Sequence, residues 1–291
     1  MSLRATFWGT RGSIPTPGPH TVRYGGNTPC LEVRTADGHL IILDAGTGIR
    51  ALGRALVEAA DGAPIEADLF LTHAHWDHIQ GIPFFAPLFG RGNRLRIWGS
   101  AASERSVDQV VRDQMSPVVF PVSFEALAAT IDFHSIAEGT PMHGPGYEVQ
   151  AFALQHPGGA LGYRFEAHDG HGGALVYVPD NELAPHPRYG SGPEWRAQLT
   201  TFVRGASVLI HDAMYTAEEY VACAGWGHST HQEAVALALA AEVRTLLLFH
   251  HDPQRTDDAL DRSVAECREL VRRAGASLEV VAAAEGLTVH T

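Results

Sequence analysis

Residues 73–78 read His-Ala-His-Trp-Asp-His and place three imidazoles and one carboxylate in six consecutive positions. The apolar residues 69–71 precede this segment and predict the end of a buried strand. Side chains two positions apart in an extended segment face the same way, so His73, His75 and Asp77 are expected to converge. His78 follows from the next turn. Because imidazole and carboxylate are typical metal ligands, the segment predicts a metal site at the end of a strand.

The segment could supply ligands to two metal ions. His73 and His75 could bind one cation, and Asp77 and His78 could bind a second. Such cations would lie about 3.5–4 Å apart, as in two-metal hydrolytic sites. A solvated loop is the alternative interpretation, which would be preferred for a lone histidine. The number of ligands in so short a segment favours metal.

Length and composition favour one domain. The chain has 291 residues, and no linker, repeat or low-complexity run divides it, so we expect a single domain over residues 1–291. The N-terminus lacks the apolar stretch of a signal peptide, and no apolar run approaches the roughly 18 residues that cross a bilayer. A cytoplasmic protein without a membrane partner is therefore expected. The cysteines, Cys30, Cys223 and Cys267, are far apart and predict neither disulfides nor a cysteine metal site.

The charge balance restricts the class of partner. The formal net charge is −12, which argues against extended binding to a nucleic-acid backbone, since such binding needs basic side chains. A small anionic substrate remains compatible with this negative charge, because bound divalent cations would make the local electrostatic field positive. The sequence does not define the oligomeric state and is compatible with a homodimer.

Strand and helix patterns alternate through both halves of the chain and predict stacked sheets covered by helices on both outer faces. The predicted strands are residues 5–8, 30–33, 40–43, 69–71, 95–98, 147–154, 161–165, 174–178, 208–210 and 245–249. The predicted helices are residues 49–57, 103–115, 230–241 and 257–274. Ser229 is expected to cap the third helix, with Gln232 three residues later.

Three further ligand candidates stand directly after predicted strands. His156 follows the strand ending at residue 154, Asp180 follows Leu-Val-Tyr-Val-Pro, and His250 follows Leu-Leu-Leu-Phe. A layered fold presents functional groups at such strand ends. A carboxylate at the position of Asp180 could bridge two metal ions.

With these residues the chain resembles the metallo-β-lactamase fold hydrolases. The resemblance lies in residues 73–78, in Leu-Asp-Ala-Gly-Thr-Gly at residues 43–48, and in the order of His156, Asp180 and His250. It covers almost the whole chain. It implies an α/β fold, an αββα sandwich of two mixed sheets flanked by helices.

The resemblance also implies a ligand set for two divalent metal ions. One ion would be bound by His73, His75 and His156 and the other by Asp77, His78 and His250, with Asp180 bridging them. Zinc is the first expectation, with manganese or iron as alternatives. The neighbouring His251 competes with His250 for its role, and the family position favours His250.

Within the family the chain looks closest to the phosphodiesterase branch that includes ribonuclease Z and small phosphodiesterases. The segment at residues 209–214, Leu-Ile-His-Asp-Ala-Met, is similar to the His-Glu-Ala-Thr segment of ribonuclease Z, and residues 228–230 match its His-Ser-Thr segment. His211 keeps the first histidine, Asp212 replaces the glutamate, and His228 takes the place of the later histidine. The long basic arm with which ribonuclease Z grips transfer RNA is missing, which argues against that substrate.

The predicted function is hydrolysis of a small phosphodiester, such as a cyclic nucleotide, by a metal-activated hydroxide. Asp77 would orient the nucleophile, and His228, held by Asp212, would donate a hydrogen bond or proton to the developing charge. A buried structural pair is the alternative interpretation of His228 and Asp212. Alternative functions are a hydrolase of another ester or a lactone, and a metal-binding sensor without catalysis.

Overall fold

The computed structural model describes residues 2–103, 105–168, 172–190 and 192–291. The strands in these residues are β1 (Arg4–Gly9), β2 (Cys30–Arg34), β3 (Leu40–Leu43), β4 (Glu66–Phe70), β5 (Arg94–Ser100), β6 (Thr130–Ile136), β7 (Met142–Gly144), β8 (Tyr147–Leu154), β9 (Ala160–Ala167), β10 (Leu175–Val178), β11 (Val208–Asp212), β12 (Thr245–Phe249), β13 (Glu279–Ala282) and β14 (Thr288–His290). The α-helices are α1 (Gly48–Ala60), α2 (Trp76–Ile79), α3 (Val107–Gln114), α4 (Trp195–Val203), α5 (Ala217–Cys223), α6 (His231–Ala240) and α7 (Asp257–Arg273). Short 3₁₀ helices lie at Ile82–Phe84, Ala86–Phe89, Phe124–Ala126 and Pro187–Tyr189.

The strands form two mixed sheets of seven strands each. The first has the order β14-β1-β2-β3-β4-β5-β6, and the second has the order β13-β12-β11-β10-β9-β8-β7. Strands β3 to β6 pair in parallel, as do β10 to β13, while the remaining pairs are antiparallel. Parallel strands end at the same edge of a sheet, so several strand ends meet at one edge of each sheet.

Three apolar layers hold the sheets and helices together. Between the sheets, Phe7 and Phe70 of the first pack with Tyr163, Phe165 and Phe249 of the second. The outer face of the first sheet is covered by α1 and α3. The outer face of the second is covered by α4, α6 and α7. The predicted αββα sandwich is therefore confirmed.

Among the helices that cover the sheets, α1 shows a clear apolar face and α7 a side-chain cap. In α1, Ile49, Leu52 and Leu56 recur at helical spacing and are buried against the first sheet. Helix α7 begins after Thr256, whose hydroxyl accepts a hydrogen bond from the Ala259 N–H, and it carries acidic residues in its first turn and arginines in its last.

Some predicted boundaries were wrong. Helix α3 begins at Val107 because Ser106 caps it, four residues after the predicted start. The cap of α6 is Thr230, which forms a reciprocal capping box with Glu233, and the predicted cap Ser229 instead donates its hydroxyl to the Asn181 carbonyl. Strands β6, β7, β13 and β14 and helices α2, α4 and α5 were not predicted. Within the described residues, none of the helices has the length and apolar character to cross a bilayer.

Candidate metal centre

The His-Ala-His-Trp-Asp-His segment changes conformation halfway along. His73 follows β4 by three positions, and His75 is still extended where it precedes α2. Asp77 and His78 lie on the first turn of α2 and are buried. The expectation that Asp77 converges with His73 and His75 from one extended strand is therefore wrong. The helical turn directs Asp77 and His78 to a second group of ligands.

Among the described residues, metal-ligating atoms form four overlapping groups with separations below 4.8 Å within each group. Two of these groups contain the expected ligands, and the other two include His228. The first group consists of His73, His75 and His156, and the second consists of Asp77, His78, Asp180 and His250. In the first, His75 Nδ1 lies 2.9 Å from His156 Nε2. In the second, His250 Nε2 lies 3.1 Å from an oxygen of Asp77 and 3.4 Å from His78 Nε2.

Asp180 lies between the two groups. Its Oδ2 is 3.7 Å from His73 Nε2 and 3.6 Å from His156 Nε2. Its Oδ1 is 3.0 Å from His78 Nε2 and 3.3 Å from His250 Nε2. Each carboxylate oxygen therefore faces one group, which is the arrangement that a bridging ligand requires.

The residues fit metal ions chemically. Among the described residues, the buried atoms His73 Nε2 and Asp180 Oδ1 have no hydrogen-bond partner of acceptable geometry, although imidazoles surround both. Buried polar atoms are normally satisfied, and a cation would satisfy both. Burial lowers the pKa of His73 well below its usual value and that of His156 to about 4, which favours the neutral, metal-binding form.

The carboxylate of Asp180 stays ionised despite its burial. Burial alone would raise its pKa, but the surrounding imidazoles, His250 and His78 foremost, outweigh that effect and hold the pKa well below its usual value. An ionised carboxylate is the form that binds a cation.

Asp44 orients His78 from behind the site. Its Oδ2 lies 2.8 Å from His78 Nδ1 and accepts a hydrogen bond from the Tyr177 hydroxyl at 2.9 Å, while Oδ1 accepts one from the Thr72 N–H. Asp44 has a φ of 57°, which is uncommon for a residue other than glycine. Such a carboxylate–histidine contact fixes which ring nitrogen faces the metal. This assigns a role to the Leu-Asp-Ala-Gly-Thr-Gly motif that the sequence analysis left open.

His250 and His251 face different ways. His250 has a φ of 58°, and this left-handed conformation separates its side chain from that of its neighbour. His251 Nε2 donates to the Ala283 carbonyl at 2.9 Å, outside both ligand groups. The structure therefore brings His250, and not His251, to the other ligand candidates.

Asp212 and His228 form a buried pair beside the ligand groups. His228 Nδ1 lies 2.6 Å from Asp212 Oδ2, and the His228 ring stacks on His250 with centroids 4.9 Å apart. Burial opposes the charged imidazole, but the charge and hydrogen bond of Asp212 outweigh it and raise the pKa of His228 to about 9. His211 Nδ1 lies 2.6 Å from the Asp212 carbonyl oxygen. His211 thus contacts the backbone of the pair and lies outside the ligand groups.

A buried glutamate was missed by the sequence analysis. Glu182 is 0% exposed and accepts backbone hydrogen bonds from Gly225 at 2.7 Å and Gly227 at 2.9 Å. The hydroxyls of Tyr189 and Tyr220 also donate to its carboxylate. A charged side chain is rarely buried without such partners. The only hint of Glu182 in the sequence is its position two residues after the ligand candidate Asp180.

The loop held by Glu182 contacts the first ligand group. The carbonyl of Gly227 accepts a hydrogen bond from His156 Nδ1 at 2.9 Å, which leaves His156 Nε2 facing His75 and Asp180. On the other side, the Ser13 N–H donates to Asp77 at 2.7 Å. Ligands on both sides of the site are therefore oriented by backbone groups of loops.

Comparison with known proteins agrees with this fold. A family model described as a beta-lactamase superfamily domain matches residues 39–251. Ribonuclease Z of Haloferax volcanii is 28% identical over 324 aligned positions, which cover 96% of each protein.

Solved structures show the same fold at low sequence identity. The metallo-beta-lactamase fold protein YhfI from Bacillus subtilis aligns with a TM-score of 0.71 at 20% identity, over 100% of this chain and 99% of that one. Yeast PDE1 aligns with a TM-score of 0.72 at 15% identity, again over 100% and 99%. The chain therefore belongs to the beta-lactamase superfamily and is a metallo-β-lactamase fold hydrolase related to ribonuclease Z.

Proposed function

We propose that this protein is a dinuclear metal-dependent phosphodiesterase that acts on a small phosphodiester, such as a cyclic nucleotide. The observation that carries the proposal is the position of Asp180, whose two oxygens face separate groups of imidazoles at 3.0 to 3.7 Å. Two cations bridged by a carboxylate are typical of enzymes that hydrolyse phosphate esters.

The proposed ligands divide between two ions. His73, His75 and His156 would bind one ion, and Asp77, His78 and His250 would bind the other. Asp180 would bridge them. Zinc is the proposed metal, with manganese or iron as alternatives, since imidazole and carboxylate ligands suit all three. When bound, two divalent cations would lower the pKa of a water molecule and polarise a phosphoryl oxygen.

Asp77 is proposed to orient the attacking water. The Ser13 N–H at 2.7 Å and His250 Nε2 at 3.1 Å both approach its Oδ2. The Ser13 N–H fixes the carboxylate, and Oδ2 shares its side of the site with His250 Nε2. Oδ1 is then the oxygen that would accept a hydrogen bond from the nucleophile. A general base must be within such reach of the proton that it takes.

His228 is proposed to donate a proton to the leaving oxygen. Its Nδ1 is hydrogen-bonded to Asp212, so Nε2 is the atom that would donate the proton to the leaving oxygen. The stacked contact with His250 keeps the ring beside the second ligand group. A histidine oriented by a carboxylate is a common general acid, and the charge of Asp212 raises the pKa of His228, which favours its protonated form.

A small substrate is favoured over a long nucleic acid. The net charge of −12 opposes binding of a polyanion away from the metal ions. Ribonuclease Z, one of the relatives, is by its name an RNA-cleaving enzyme, which makes RNA the second candidate substrate. We expect residues 1–291 to act as one cytoplasmic domain, without an extended nucleic acid or a membrane as partner.

The test is a hydrolysis panel with metal-loaded protein. The panel contains bis(4-nitrophenyl) phosphate, 2′,3′- and 3′,5′-cyclic nucleotides, a structured RNA with a 3′ extension, and lactones. We expect turnover of at least one small diester that exceeds RNA cleavage. Cleavage of RNA alone would assign the second candidate. Turnover of lactones alone would contradict phosphodiester chemistry, and inertness towards every compound would support a metal-binding sensor.

A further inference from the structure

A cavity of about 600 Å³ opens beside the first ligand group. His73 and His75 line one end of it, so a phosphate bound at the metal centre would have its ester group next to the opening. Cavities of this volume, roughly 300–1,000 Å³, commonly bind small organic molecules. Its walls come from the end of β5, helix α3 and the turn between β8 and β9.

The walls of the cavity are mainly apolar. Five leucine and valine side chains line it: Leu71, Val107, Val110, Leu154 and Leu161. Helix α3 approaches β5 closely because Gly99 has no side chain, since a Cβ there would lie 2.7 Å from the Val107 Cβ. An apolar wall stabilises an uncharged group by removing its surface from water.

Six of the described residues that line the cavity have polar side chains. His73 and His75 belong to the first ligand group, and the Thr72 hydroxyl hydrogen-bonds to Asp44. The others are Ser100, Ser103 and Arg105. Arg105 forms an ion pair with Asp113, and both side chains are exposed. Asp113 balances the charge of Arg105, so the pair adds no net positive charge to the cavity. Among the described lining residues, no other arginine is present, so the cavity suits an uncharged group better than the next nucleotide of a strand.

We propose that this cavity binds the uncharged, largely apolar organic group of the phosphodiester, an aryl group or one of comparable size. The inference rests on the proposed function, because it requires the phosphate to bind at the metal centre. It makes helix α3 and the residues after β5 the determinants of substrate preference. Enlarging the ester group from methyl to aryl should therefore strengthen binding.

The test compares two product analogues on the metal-loaded protein, phenyl phosphate and methyl phosphate, by isothermal titration calorimetry. Both bind without requiring turnover. We expect phenyl phosphate to bind the wild type at least about tenfold more tightly, because its ring is buried in the cavity.

Substitutions at the entrance of the cavity test whether the preference for phenyl phosphate arises there. Ala102 is exposed and lines the cavity, so Ala102→Trp should fill the entrance and abolish the preference for the phenyl ester. Ser103→Trp is a second variant with the same expected result. Ala101→Trp is the matched control, because Ala101 is also exposed but does not line the cavity. Metal content should be the same in all three variants.

Equal affinities of the wild type for the two esters would overturn the inference. So would a preference that survives in both Ala102→Trp and Ser103→Trp, or one that is lost equally in Ala101→Trp. A phenyl preference in a protein that hydrolyses no diester would support the cavity while contradicting the proposed function. Hydrolysis without a phenyl preference would support the function and overturn the cavity.

Discussion

His228 donates a hydrogen bond from Nδ1 to Asp212 Oδ2 across 2.6 Å, and both side chains are buried. Asp212 Oδ1 also accepts hydrogen bonds from the backbone N–H groups of Met214 and Ser229. The carboxylate is thus fixed by backbone as well as by the imidazole. It defines both the orientation of His228 and the nitrogen that remains for a substrate.

If His228 is the proton donor, His228→Ala should lower kcat on a phosphodiester about 100-fold or more, which is typical for loss of a general acid. Metal content should not change, because the proposed ligands are intact. Turnover and metal analysis of the same preparation check both expectations. His134→Ala, a histidine that stacks on Trp98 away from the site, is the control and should change neither. Loss of metal from His228→Ala would show that His228 is a ligand.

The adjacent histidines give opposite predictions for metal binding. His250→Ala should lose metal, because its Nε2 lies among the atoms of the second ligand group. His251→Ala should keep the metal and lose some stability, since His251 is buried and donates to the Ala283 carbonyl. Metal content and thermal melting of both variants are the measurements. Retention of all the metal in His250→Ala would contradict the assignment.

Glu182→Gln should weaken metal binding without removing a ligand. The amide is close in shape to the carboxylate, but its NH₂ group would meet the N–H of Gly225 or Gly227, and the loop would shift. Because the Gly227 carbonyl orients His156, metal affinity should fall about 10- to 100-fold, as for other supporting contacts around metal ligands. Competition with a chelator measures this affinity.

Glu233→Gln is the control for Glu182→Gln, since Glu233 caps the nearby helix α6 without contacting Gly227. It should lower stability and leave metal affinity within about twofold. Equal metal affinity in Glu182→Gln and the wild type would contradict the positioning role of Glu182.

A buried carboxylate distant from the site predicts acid sensitivity. His39, Arg96 and Tyr147 hydrogen-bond to Asp68, and although burial alone would raise its pKa, these partners lower it from 3.8 to about 2. A carboxyl with a lowered pKa in the folded state contributes stability above its unfolded pKa, and this contribution is lost as the pH falls through about 4 to 2. The contribution is about 2 kcal/mol.

Urea unfolding of the wild type and Asp68→Asn between pH 2 and pH 7 measures this contribution. The difference in unfolding free energy between the two should shrink as the pH falls below about 4. Asp132→Asn is the control, because Asp132 pairs with the exposed Arg94 and should contribute less than about 1 kcal/mol. A difference for Asp68→Asn that does not vary with pH would contradict the account.

The sequence predicted the layers of the fold because buried strands and amphipathic helices carry local patterns. Strand β6 was not predicted because it lies at the edge of its sheet and most of its residues are only partly buried, which weakens the pattern. Strand β14 has three residues and exists through pairing with β1, at the other end of the chain. Pairing between such distant segments leaves little local signal.

In the candidate site too, features encoded by neighbouring residues were predicted, and features that depend on distant residues were not. The segment at residues 73–78 was recognised because its ligands are adjacent in sequence. The role of Glu182 could not be predicted, because it depends on hydrogen bonds to Gly225 and Gly227, more than 40 residues away. The convergence of Asp77 with His73 was wrongly predicted because the start of α2 inside the motif was not anticipated.

A dinuclear centre bridged by Asp180 can be tested by following turnover as metal is added to metal-free protein. Aliquots receive increasing amounts of zinc, bound metal is measured by elemental analysis, and the rate on bis(4-nitrophenyl) phosphate is recorded for each. We expect two bound ions per chain and a rate that rises mainly with the second. We also expect that Asp180→Asn binds fewer than two ions and lacks this rise. Full activity with one ion per chain, or two ions and full turnover in Asp180→Asn, would contradict a dinuclear site bridged by Asp180.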